Sequence, residues 1–123
     1  DYALFGTNHI GECLWFADPN HILIAQDYWN SASPGERWAL TWHELGHCVY
    51  ELHHPDDPGW VMSYKLTEHF RCPTSLMNPS IGRAECFDEA SEQRYYIEEL
   101  RNRIEREHTS VMIFKRSNPP DGD

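Results

Sequence analysis

The sequence contains no apolar run that approaches the roughly 20 residues a bilayer span requires. It is poor in positive charge: ten Lys and Arg stand against twenty Asp and Glu, a net charge of −10. That balance argues against a nucleic-acid partner, which calls for a basic face. A solvated acidic surface accounts for the excess, with a mild preference for basic substrates as the alternative. The chain has no internal repeat and no low-complexity stretch. It also lacks any C-x-x-C pair, which excludes a zinc knuckle and a dithiol redox motif. No signal-peptide pattern stands at Asp1, which leaves a mature form, a cytosolic protein and a trimmed chain all open.

What is present suits one domain over residues 1–123, with one modest core. The four cysteines, Cys13, Cys48, Cys72 and Cys86, allow three pairings. An even count in a short chain favours two disulfides and a secreted or extracytoplasmic setting over buried free thiols. The neatest arrangement joins Cys13 to Cys48 and Cys72 to Cys86, the latter bracketing residues 73–85.

Residues 12–17 (ECLWFA) and 21–26 (HILIAQ) are β-prone and flank the turn signal Asp18-Pro19-Asn20, a pattern that predicts an antiparallel hairpin. Residues 31–52 predict a helix. Ser33 can cap it, Pro34 suits its first position and Glu36 completes a capping box. Trp38, Trp42, Leu45 and Val49 recur at helical spacing as its apolar stripe. Pro55 holds His54 out of helical geometry, so the helix ends by about there. Residues 55–87, rich in Pro, Ser, Asn, Gly and Cys, read as irregular. Residues 88–108 predict a second helix with Ile97, Leu100 and Ile104 on one side, and pairs such as Glu99–Arg103 on its solvated face. The tail 117–123 reads as mobile.

The stretch WHELGHCVYELHH, residues 42–54, carries the chemistry. His43 and His47 are four apart and share one helix face, so both can reach one metal. Glu44 is placed to approach a water at the open coordination position. Imidazole suits zinc, and a catalytic zinc keeps three protein ligands plus water. The alternative, a helix with surface histidines, leaves unexplained why four of the eight histidines fall within twelve residues. A straight helix would carry His54 about 16 Å beyond His43. The chain must therefore turn back to deliver a third ligand. His53 and His54 both qualify; His54 is favoured, because Pro55 already extends it and the added residue can supply the turn. His9, His21, His69 and His108 receive no role.

On these residues the sequence resembles the metzincins, the clan of zinc endopeptidases that includes matrixins and astacins, and most of all small secreted matrixin-like bacterial peptidases. The resemblance runs over roughly residues 10–100: HILIAQDYWN (21–30), ERWALTWHELGHC (36–48), His54, SLMNP (75–79) and YYIEEL (95–100). It implies an α+β fold, a minimal zincin-like catalytic domain. Its parts would be a short antiparallel or mixed sheet, an active-site helix, an irregular C-terminal half with a methionine turn, and a C-terminal helix. It casts Met77 as the turn methionine, with Met62 as a rival and Tyr64 as the tyrosine that would accompany Met62. Packing alone is the plain reading of either methionine. Two features depart from the pattern. The usual turn glycine is replaced by Tyr50, and about ten residues precede the hairpin where the clan has several strands and a helix, so this is a minimal version or a chain without its front.

The implied activity is zinc-dependent endopeptidase hydrolysis of an extended peptide or protein substrate by a monomer, with Glu44 as general base. The substrate would add to a strand edge, the rim falling on 12–17, especially Leu14, Trp15 and Phe16; a simple hairpin is the alternative. The specificity pocket is expected near the methionine turn. Two other readings compete. One is a compact gluzincin-like, regulator-cleaving peptidase, whose third ligand would be acidic: Glu85, Glu89 or Glu92. The other is a zinc-stabilised binding module without turnover.

Overall fold

The computed structural model describes residues 2–5, 8–14, 19–65 and 68–116. The fold is α+β, with two small antiparallel sheets and helices. β1 (Tyr2–Phe5), β2 (Asn8–Leu14) and β3 (His21–Ile24) form the first sheet with β2 in the middle. The expected hairpin is β2–β3, with Gly11 opposite Ile24 and Cys13 opposite Ile22. Its second strand stops at Ile24, because the chain turns at Ala25 into a short helix, α1 (Gln26–Ser31). Residues 15–18 lie outside the described residues.

α2 (Pro34–Cys48) starts as the sequence predicts. The Ser33 hydroxyl accepts from the Glu36 N–H, and the Glu36 carboxylate accepts from the Ser33 N–H, satisfying two donors that a helix start leaves open. Its inner face differs from the expected stripe. Ala39, Leu40, His43, Glu44, Gly46 and His47 are buried, whereas Trp38, Trp42 and Leu45 are half-buried and Val49 is 58% exposed. The motif residues themselves are innermost, and the large apolar residues close the flank: Trp38 meets Phe87, with ring centroids 6.2 Å apart.

The segment expected to be irregular holds a second sheet, β4 (Trp60–Lys65) paired with β5 (Glu68–Pro73). Its residues do not alternate cleanly between core and solvent. Val61 and Met62 are both exposed on β4, while Phe70 and Cys72 carry the buried face of β5. The remainder up to the 3₁₀ turn Ala84–Cys86 is irregular, and α3 (Ala90–Arg116) outruns the expected 88–108. On α3, Tyr96 and Leu100 are buried and Ile97 and Ile104 half-buried, and Arg103 pairs with Glu99 at 2.7 Å. Residues 117–123 lie outside the described residues. No described helix is long and apolar enough to cross a membrane.

Both disulfides pair as the arrangement above sets out, Cys13–Cys48 and Cys72–Cys86. The first ties the last residue of α2 to the central strand, and the second ties β5 to the 3₁₀ turn. Chain entropy alone makes the second loop, 14 residues of separation, worth ~3 kcal/mol. Replacing Cys72 and Cys86 together by serine is expected to lower the melting temperature by roughly 10 °C or more, read by calorimetry. An unchanged melting temperature would show that this bridge does not hold the loops.

Candidate metal centre

α2 ends at Cys48, and the chain reverses at once. The Val49 N–H donates to the Leu45 carbonyl, and the Leu52 N–H reaches back to the Gly46 carbonyl at 2.9 Å. Tyr50 occupies the place of the missing glycine, but the left-handed residue is Glu51, with φ 55°. A non-glycine residue there costs about 1 kcal/mol. The turn brings His54 over the helix that carries His43 and His47.

The three histidines form one cluster. Nε2 of His47 lies 3.1 Å from Nε2 of His43 and 3.2 Å from Nε2 of His54, and the remaining separation is 3.3 Å. His43 and His47 are fully buried and His54 is half-buried. His53 is exposed and contributes no atom to the cluster.

Two backbone carbonyls settle how these rings are protonated. Nδ1 of His43 lies 2.6 Å from the Leu76 carbonyl, and Nδ1 of His47 lies 2.6 Å from the Leu52 carbonyl. A carbonyl only accepts, so each Nδ1 carries a proton, and in the neutral form of each ring the Nε2 lone pair faces the cluster. Lone pairs at about 3 Å repel, and a cation among them reverses the sign. Bonds of ~2.0–2.1 Å at tetrahedral angles place neighbouring ligand nitrogens ~3.3 Å apart, the spacing found here. The donor set thus fits a metal ion. Burial, reinforced by His54, pushes His47 down to about 4, which keeps it neutral and able to ligate at neutral pH.

Glu44 is 0% exposed, and neither carboxylate oxygen has a hydrogen-bond partner among the described residues. Burial, the largest cause, pushes it up to about 8, and the Glu12 charge acts in the same direction. A residue not singled out from sequence makes its space. A Cβ on Gly11 would stand 2.6 Å from Oε2 of Glu44 and 2.9 Å from Cδ1 of Leu40. A glycine inside a strand is the available signal of such an approach. Gly11→Ala is expected to cost about 1–3 kcal/mol and to displace the carboxylate. Denaturant melts check this, and a variant as stable as the parent would contradict the close approach.

Met77 is fully buried beneath the helix: a Cβ on Gly46 would stand 2.5 Å from its sulfur. The preceding residue supplies the carbonyl that orients His43. Met62 lies on β4 and is 47% exposed, and the side chain of Tyr64 lies outside the described residues. Among the described residues, the metal-ligating cluster includes none of Glu85, Glu89 and Glu92; Glu85 pairs with Arg83 at 3.4 Å.

Comparisons with protein-family models, with curated proteins and with solved structures found no match. The site therefore rests on its own geometry. Of the expected substrate rim, Trp15 and Phe16 lie outside the described residues, and Leu14 is half-buried opposite His21. Glu12 is covered on both sides, by Tyr2 and by Leu23, so the rim cannot begin there. A cavity of about 370 Å³ shares His54 with the cluster, and Leu52, Pro55, Arg103 and Arg106 help to line it. It sits between the segment after α2 and α3.

Proposed function

We propose that this chain is a zinc-dependent endopeptidase of the metzincin kind, working in an oxidising, extracellular setting. The observation that carries the reading is the pairing of two features. Three Nε2 atoms converge at 3.1–3.3 Å with two ring tautomers fixed by backbone carbonyls, and a buried carboxylate with no hydrogen-bond partner among the described residues stands next to the first ligand. The two disulfides and the cysteine count support the setting.

His43, His47 and His54 would hold the ion. Zinc bound there supplies Lewis acidity, polarising the scissile carbonyl and acidifying the attacking water. The Leu76 and Leu52 carbonyls hold the His43 and His47 rings in the ligating tautomer and raise their basicity. Glu44 accepts the water's proton at its carboxylate and returns it to the leaving amine. An extended peptide would add to a strand edge of the first sheet by main-chain hydrogen bonds.

A zinc-stabilised binding module is the reading from another class. It would keep the three histidines but has no use for a buried carboxylate that lacks a hydrogen-bond partner among the described residues and so costs stability. Casein cleavage with and without a chelator separates the two. Cleavage that a chelator stops and zinc restores supports the peptidase. Folded protein holding one zinc per chain without cleavage supports the module.

A further inference from the structure

The carbonyl of Gly59 is the meeting point of the two halves of the site. It lies five residues after His54, across a segment containing Pro55 and Pro58. It accepts from the Thr74 N–H at 3.0 Å, the Thr74 hydroxyl at 3.2 Å and Nδ2 of Asn78 at 2.6 Å. Thr74 and Asn78 are the two flanks of Leu76, whose carbonyl orients His43. Inside the loop, the Met77 N–H donates to the Ser75 hydroxyl and the Asn78 N–H to the Ser75 carbonyl, at 3.0 and 3.2 Å. One acceptor therefore fastens both shoulders of the carbonyl that sets the first ligand, and it belongs to the segment that delivers the third.

We infer that Asn78 is a positioning residue for the metal centre, acting through the Gly59 carbonyl to hold the Leu76 carbonyl under His43 while anchoring the chain that follows His54. The observations favour Asn78 over Thr74 as the strut. Asn78 is 1% exposed and makes the shortest of the three bonds, and a buried amide cannot exchange that bond for one to water. The Thr74 hydroxyl bond is longer and half-buried, and the Thr74 backbone bond survives any side-chain change.

The inference rests on the metal reading of the histidine cluster, and the test keeps the two apart. Zinc affinity is measured by competition with a chromogenic chelator for the parent, Asn78→Ala, Asn78→Ser and Thr74→Val. The cobalt-substituted proteins are compared by visible absorption, and each metal-free variant is melted. The Asn78 variants are expected to bind zinc ~10–100-fold more weakly and to show an altered cobalt spectrum, whereas Thr74→Val stays close to the parent. In the parent itself, zinc addition is expected to shift the Asn78 side-chain amide resonance, a readout that does not depend on any variant folding. A parent that takes up no zinc sinks the metal reading. A parent that takes up zinc without moving the Asn78 amide overturns the inference, as do folded Asn78 variants with parental affinity and spectrum.

Discussion

Glu44→Gln is expected to lower peptide hydrolysis by at least ~1,000-fold while one zinc ion still binds per chain. Glutamine keeps the shape and burial of the side chain and removes its ability to accept a proton. The same substitution has a signature that needs no substrate. In the metal-free protein burial holds Glu44 up to about 8, against about 4.5 for the free side chain. Between those values the folded state binds more protons than the unfolded state, so stability falls as pH rises. His47 acts in the opposite sense. Its folded value of about 4 lies below the free value of 6.5, so stability falls as pH drops through that window. From pH 6.5 to 8 the Glu44 contribution stands without the His47 one. The metal-free parent is expected to lose melting temperature over that range, and the Glu44→Gln protein to show a flatter profile. Turnover at the parental rate would remove Glu44 from the chemistry, and superimposable pH profiles would show that its carboxyl does not titrate as a buried group.

The second large effect separates neighbouring histidines. His54→Ala is expected to weaken zinc binding well beyond the ~10–100-fold typical of a lost supporting contact, because it removes a ligand itself. His53→Ala is expected to leave affinity near the parental value, since that ring is exposed and outside the cluster. Both variants keep Leu52, whose carbonyl orients His47, and Pro55. Competition titrations give the ratio directly. Equal losses, or a larger loss at His53, would contradict the assignment of the third ligand.

Much of the candidate site is legible in the sequence because it is local. His43 and His47 share a helix face by spacing, and Ser33, Pro34 and Glu36 announce where that helix begins. Pro55 marks His54 as already extended, and it is His54 rather than His53 that stands in the histidine cluster. The disulfide pairing is the neatest of the three that the sequence leaves open, each bridge joining cysteines adjacent among the four.

What is not legible depends on contacts distant in sequence. β4 and β5 lie between turn-forming stretches, and exposed Val61 and Met62 hide any two-residue period that would betray a strand. The apolar stripe of α2 is misplaced because the periodicity of Trp38, Trp42 and Val49 outweighs two histidines and a glutamate. Polar residues look outward until a metal site gives them a reason to be inside. The part played by Gly11 depends on Glu44, 33 positions away, and that of Gly59 on Asn78, 19 positions away. Neither partner can be named until the chain is folded.

The most direct test is anomalous diffraction at the zinc edge from crystals of zinc-reconstituted protein. The account predicts a single strong peak within about 2 Å of Nε2 of His43, His47 and His54 together. No peak in fully folded, reconstituted protein, or a peak held by His53 or by a carboxylate among Glu85, Glu89 and Glu92, would contradict it.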